Sequence, residues 1–290
     1  MNKTMKVPLM APTVLFFSFI LFLLPNPTWP QSLMFKKHGK VIKILSLAEL
    51  EKLSKPKTVT VFEPHESGNR KYTGFPANDL LTVVYGQSWK NTEEILFTCS
   101  DGYQPSIPSM KFKKYKSYLV YASPERREFT LVNELQNNEP VRLGPFYLVW
   151  DNVKNPELKS EGGSDWPYQV VSVDLISFSE RFPNMASPNN SSEDVKRGFL
   201  AFRKYCMTCH TINGEGGGKS VELNYPVSVT EYMKEPWLIR WMDNPTSVRY
   251  NTTMPALNPN AEDRELIIKN IIAYLKLMKD NKRKPKSEQR

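Results

Sequence analysis

Cysteine and histidine are scarce in this chain, with three of each among 290 residues. Three cysteines exclude the disulfide framework of a small stapled scaffold, and the odd count leaves one thiol over even if two pair. After the first thirty residues no second long apolar run follows, so no further membrane-spanning helix is predicted. Acid is the minority sign: 30 Asp and Glu stand against 39 Lys and Arg, a net charge of +9. The basic residues are dispersed apart from the terminal KDNKRKPKSEQR, which reads as a solvated tail, and a basic balance alone describes solubility and non-specific attraction. A nucleic-acid partner is therefore not expected. A nucleotide-phosphate loop is missing as well, because Gly216-Gly-Gly218 is not joined to a Lys-Ser pair at the Walker spacing behind a predicted strand.

What is present is the composition of a globular protein, 40% hydrophobic and 24% charged, long enough for two ordinary domains. Lys3 and Lys6 precede the charge-free run Val14 to Leu24, and the breaker-rich PNPTWPQS follows. Residues 1–30 thus read as an export signal. Its apolar run is shorter than the roughly 20 residues that span a bilayer, so cleavage is expected. No small-x-small site precedes Gln31, and an uncleaved anchor is the alternative; membrane association is expected in that case alone. Removing the leader's two lysines takes the charge from +9 to +7.

From Lys40 to about Phe178, short β-branched and aromatic runs (KVIKILS, TVTVFEP, EEILFTCS, KSYLVYAS, GPFYLVWDN, YQVVSVDLISF) alternate with turn-forming clusters. Only SLAELEKL and PANDLLTVVYG look helical there, which predicts an α+β domain over 31–182. Residues 183–192 are rich in Pro, Asn and Ser and read as a linker. Beyond it the period becomes helical. Ser191 with Asp194 approximates a capping box ahead of the stripe Val195, Phe199, Phe202 and Cys206. Asn258 is the predicted cap of a last helix with Pro259 at its first position and Ile267, Ile268, Ile271, Ile272, Leu275 and Met278 facing the core. An all-α domain is predicted over 193–280, with a basic tail at 281–290.

The stretch YCMTCHTINGEGG gathers Cys206, Cys209 and His210 into five consecutive positions. Cys-x-x-Cys can be half a zinc site, a dithiol redox centre or a double thioether anchor for haem. A structural zinc site takes four protein ligands, yet only Cys99, His38 and His65 remain, all in the other domain. A thioredoxin-like dithiol opens a helix after a strand, whereas this motif ends one. Covalent haem suits the spacing: cysteines three apart in a helical turn face one porphyrin edge, and the adjacent His210 turns towards the iron. The sixth ligand is assigned to Met254, in the proline-interrupted loop YNTTMPALNPN, where a thioether has no helical face to pack on and Pro255 stiffens the backbone. Met233, Met242 and Met278 lie in helical stretches and read as packing.

Residues from about Ser191 to Met278 resemble a small monohaem cytochrome c domain of class I type. Gly198-x-x-x-Phe202 precedes the motif, WLIRWMDNPTSVRYNTTMPAL supplies the methionine loop, and IIAYLKLM closes the fold. The resemblance implies that Tyr274 packs across Gly198 and that Trp241 and Arg249 meet the haem propionates. Upstream, KYTGFPANDLL, FTCSDGYQPSIP, GPFYLVWDN and WPYQVVSVDLISF are similar to the molybdopterin domain of sulfite-oxidase-type enzymes. In that family a cysteine thiolate binds molybdenum shortly before the segment matching YTGFPANDLL, but TVTVFEPHESGNRK contains none. The domain is therefore expected without molybdenum. Cys99 reads as a small hydrophobe on a buried strand and His65, between Glu63 and Glu66, as part of a solvated loop.

The function these readings imply is periplasmic electron transfer through one haem c, ligated by His210 and Met254, with the first domain docking a redox partner protein. The alternatives are a haem-containing oxidoreductase of the sulfite-dehydrogenase type acting on a small anion, and a haem sensor in which Met254 leaves to admit a gas.

Overall fold

The computed structural model describes residues 31–285, so the predicted leader and the end of the basic tail lie outside the described residues. Through Ile176 the chain runs β1 (Ser32–Lys37), β2 (Lys40–Ser46), α1 (Leu47–Leu53), β3 (Lys57–Glu63), β4 (Gly68–Pro76), α2 (Ala77–Tyr85), β5 (Glu94–Cys99) and β6 (Ser106–Pro108). It continues through α3 (Ser109–Lys114), β7 (Ser117–Ala122), β8 (Thr130–Asn133), β9 (Glu139–Arg142), β10 (Tyr147–Trp150) and β11 (Val170–Ile176). Two sheets result, ordered β2-β1-β11-β5-β6 and β10-β7-β4-β3, with β8 and β9 as a separate pair. All neighbours are antiparallel except β1 and β11. The mixed α+β architecture agrees with the sequence reading. Both predicted helices form, α1 behind a capping box in which Ser46 and Glu49 exchange side-chain and backbone bonds.

The core between the sheets is built from alternate strand residues. On β5, Ile95, Phe97 and Cys99 face this core, while Leu96 turns to a second apolar cluster formed by the C-terminal helices. Ile176, ending β11, joins that second cluster too. One face of the five-stranded sheet thereby supports the helical domain.

That domain carries α4 (Phe178–Arg181), α5 (Glu193–Tyr205), α6 (Val229–Tyr232), α7 (Glu235–Asp243) and α8 (Arg264–Lys279), and it departs from the all-α expectation in one two-residue antiparallel pair, Thr211–Ile212 with Glu215–Gly216, formed around the turn at Asn213-Gly214. Helices α5 and α8 cross at Gly198, where a Cβ would overlap the Asn270 carbonyl oxygen. Tyr274 is fully buried there between Phe199 and Phe202, and its hydroxyl donates to the Met185 carbonyl at 2.6 Å. The segment 183–192 is tied to this domain, since Asn184 donates from its amide and side chain to Glu215 at 2.7 and 2.8 Å.

Two predicted helix starts are corrected. Ser192, not Ser191, caps α5 by accepting from the Val195 amide, while Ser191 bonds back to the Pro188 carbonyl. Helix α8 begins after Asp263, which is left-handed at φ 52°, rather than at Asn258. Asn258 spends its side chain elsewhere: Oδ1 accepts from the Asn260 amide, and Nδ2 donates to the Ser160 carbonyl of the first domain at 2.8 Å.

Candidate functional site

Helix α5 ends at Tyr205, and the next turn carries the motif. The amides of Cys209 and His210 both return to the Cys206 carbonyl, at 3.1 and 2.9 Å, which brings the two cysteines to one side. Glycines close under this turn. A Cβ on Gly217 would overlap the Thr208 carbonyl oxygen, one on Gly216 (φ 119°) would overlap that of His210, and the Gly217 amide donates to Met207 at 2.7 Å. Gly216 and Gly217 thereby form a packed floor under the motif.

A cavity of about 310 Å³ opens between the turn, α7, α8 and the 252–255 loop. Cys206, Cys209, His210, Trp241, Arg249 and Met254, which the sequence reading singled out, all line it, against apolar walls that include Phe202, Leu238 and Ile271. The His210 Nδ1 lies 2.8 Å from the Val221 carbonyl oxygen. A carbonyl can only accept, so the proton sits on Nδ1 and Nε2 keeps its lone pair. Burial pushes the His210 pKa down, and the Val221 carbonyl and Glu222 offset this only in part. Met254 Sδ accepts from the Trp241 indole N–H at 2.7 Å. The indole is therefore placed on the sulfur, where the resemblance led us to expect it at a propionate. Arg249 is exposed at the rim. Met233 and Met242 also line the cavity, but Met242 is buried in the helical core, and Met278 does not reach the cavity at all.

The thiols are unpaired. Burial pushes Cys206 up to about 12, with Cys209 adding to it, and burial raises Cys209 as well. A reactive dithiol needs the opposite shift. Among the described residues no group of three or more His, Cys, Asp or Glu is placed to hold a metal ion.

The α+β domain meets the motif turn directly. The Gln104 amide donates to the Thr208 carbonyl at 2.7 Å, the Gly218 amide to Gly102 at 2.9 Å, and Lys219 pairs with Asp101 at 2.8 Å. Arg203 of α5 pairs with Glu94 of β5 while its guanidinium lies 3.4 Å over the Phe178 ring. Between the domains is a larger cavity of about 430 Å³ that shares Cys206, Cys209 and Met254 with the first and takes its far wall from residues such as Phe62, His65 and Tyr168.

His65 requires a correction. It is 6% exposed, not solvated, and Glu63 is fully buried. Glu63 accepts from His65 Nδ1 (2.8 Å), the Tyr72 hydroxyl (2.8 Å) and the Tyr147 hydroxyl (2.9 Å). Burial alone would raise the Glu63 pKa, but the His65 bond and charge and the Tyr72 bond outweigh it and hold the carboxyl below its usual range. The alternation of β3 carried the missed signal: Val59 and Val61 face inward, and a period of two puts Glu63 on the same side. Cys99 is 2% exposed, as expected of a small hydrophobe; burial pushes its thiol well up, and it lines neither cavity.

Residues 195–279 match the family model of Cytochrome c. No curated protein matches the chain. The C-terminal domain is accordingly of the c-type cytochrome kind, a family that holds haem c covalently and transfers electrons through it.

Proposed function

With a c-type cytochrome domain over residues 195–279, we propose that this protein carries single electrons outside the cytoplasm through one haem c. Cys206 and Cys209 would hold it by thioether bonds, with His210 and Met254 as the axial ligands. The observation that carries this reading is the convergence of two unpaired thiols, an imidazole and a thioether on one apolar cavity. These residues fit the group. Haem c, when bound, supplies a one-electron couple between ferrous and ferric iron.

The chain's own part is positioning. The Val221 carbonyl fixes the His210 ring and reserves Nε2 for the metal, as outer partners of ligating histidines do. The Trp241 N–H engages one lone pair of the Met254 sulfur and leaves the other available, and Pro255 restrains the backbone beside it. Phe202, Leu238 and Ile271 keep water from the site. Arg249, exposed on its rim, is the candidate to meet a propionate, while the Trp241 N–H serves the Met254 sulfur. With His210 and Met254 both available to ligate the iron, haem held here would suit electron carriage rather than gas sensing.

The leader directs the protein to the periplasm, and the α+β domain, which already covers the motif turn, docks a redox partner. Its likeness to sulfite-oxidase-type domains does not extend to a thiolate: Cys99 is sealed in the core, so the residues do not fit a cysteine-bound molybdenum. Axial ligation is tested by spectra of Met254→Leu and Met233→Leu proteins. Loss of the ferric sulfur-to-iron absorption in the first alone supports the assignment; loss in the second alone refutes it.

A further inference from the structure

The segment that fixes the His210 ring is itself fixed by one side chain. Residues 220–223 run beside residues 209–211: the Ser220 amide donates to the Cys209 carbonyl at 2.8 Å, the Leu223 amide donates to the Thr211 carbonyl at 2.9 Å, and Thr211 and Glu222 form a parallel bridge. Between those two bonds the Val221 carbonyl accepts from His210 Nδ1. Glu222 locks the far end of the segment. Its Oε1 accepts from the amides of Asn213, Asn224 and Tyr225 at 2.8, 2.9 and 3.1 Å, and its Oε2 accepts from the Gly214 amide at 2.9 Å. One carboxylate thereby ties the turn that follows the motif to the chain that carries the Val221 carbonyl.

The charge matters as well as the bonds. Among the described residues no lysine, arginine or histidine pairs with Glu222, so dipoles surround its charge without cancelling it. That charge reaches the imidazole: burial lowers the His210 pKa, and the Val221 carbonyl and then Glu222 pull the other way. An acceptor on Nδ1 and a negative charge behind it act in one sense. Both make Nε2 a better electron donor, and an electron-rich ligand favours the higher oxidation state of the metal it holds.

We propose that Glu222 is a positioning residue of the haem site, which keeps the Val221 carbonyl on His210 Nδ1 and thereby holds the reduction potential of the haem low. The inference rests on His210 as an axial ligand and is independent of Met254. Its two contributions are separable. In Glu222→Gln the amide oxygen keeps the place of Oε1 and its bonds to Asn213, Asn224 and Tyr225, while the NH2 group meets the Gly214 N–H donor against donor. The charge is lost and most of the positioning stays. Glu222→Ala loses both. A clamp that served the loop alone would lower stability and leave the potential where it was.

Redox titration of the holoprotein, followed in the visible spectrum, tests it. At fixed potential Glu222→Gln shifts the ferrous-to-ferric ratio towards ferrous by about tenfold, the lower end of what loss of an outer partner does at a metal-bound histidine. For one electron that is a midpoint about 59 mV higher. Glu222→Ala moves it further. Glu215→Gln is the control: Glu215 follows Gly214 and accepts from the Asn184 amide and side chain, so its loss lowers the melting temperature and leaves the midpoint in place. An unmoved or lowered midpoint in both Glu222 variants, or an equal rise in Glu215→Gln, would overturn the proposal. If neither Glu222 variant matures, hydrogen exchange in the unaltered ferrous protein decides. The His210 Nδ1 proton then exchanges in one slow unit with the amides of Asn213, Gly214, Asn224 and Tyr225, and a ring proton lost well ahead of those amides overturns the proposal. Unaltered protein without covalent haem would overturn the axial reading and the proposal together, whereas normal haem bands with an unmoved midpoint overturn the proposal alone.

Discussion

Replacing Gly198 with alanine sets two effects of known sign against each other. In a helix interior the change gains about 1 kcal/mol from propensity. Here the new Cβ would overlap the Asn270 carbonyl oxygen and lie 3.0 Å from Tyr274 Cβ, both on α8. A main-chain carbonyl cannot rotate aside, so α8 itself must shift. It would carry with it the Tyr274 ring, its contacts with Phe199 and Phe202, and its 2.6 Å bond to Met185. Overpacking of a well-filled core costs about 1–3 kcal/mol and occasionally more. With backbone as the obstacle the upper end applies, and the net loss is about 2 kcal/mol. At roughly 2–4 °C per kcal/mol for a chain of this size, the melting temperature falls by about 4–8 °C. Urea and thermal unfolding of the holoprotein measure it, with Gly218→Ala as control: a Cβ there meets nothing within 4 Å, and stability stays within about 0.5 kcal/mol. A Gly198→Ala protein as stable as the unaltered one would refute the packing argument.

Arg203→Ala strands the buried Glu94 carboxylate and destabilises by about 3–5 kcal/mol, and adding Glu94→Gln recovers part of that loss in denaturant titrations. Met254→Leu frees an axial position, so the reduced protein binds carbon monoxide rapidly by flash photolysis, whereas Met242→Leu does not. Glu63 has a folded pKa below its ordinary 4.5, so its stabilisation is complete above that value and is lost as pH falls through the folded value. Glu63→Gln should therefore weaken the protein at pH 7 by at least about 1.5–3 kcal/mol, one charge-assisted hydrogen bond, and flatten the acid limb of its stability profile.

The motif turn was legible because its chemistry is contiguous: Cys206, Cys209 and His210 declare themselves within one turn of chain. Met254 could be singled out because a proline-broken polar loop gives a thioether no core to join, and the structure brings it to the same cavity. Six strand runs (β2, β3, β5, β7, β10 and β11) and two helices of the first domain are read from β-branched patterns and caps, whereas β1, β4, β6, β8, β9 and α3 are not: β6, β8 and β9 are three or four residues long, and β4 (GNRKYTGFP) mixes Gly, Pro and charge with few β-branched residues. The cap signal at Asn258-Pro259 was real, but it serves an Asx turn and a bond to Ser160 instead of a helix start. The buried Glu63–His65 pair was hidden for a different reason. The period of β3 points Glu63 inward, but its partners Tyr72 and Tyr147 come from β4 and β10, and those partners appear only on tertiary pairing. The interdomain cavity, assembled from both halves of the chain, left no local trace.

Mass spectrometry of the tryptic peptide from Tyr205 to Lys219 in matured protein reads the attachment itself. A peptide bearing one haem, resistant to acid-acetone and reduced to the free-thiol form by neither Cys206→Ser nor Cys209→Ser alone, is the expected result. An unmodified peptide with both thiols free, in protein that is coloured before extraction, would contradict it.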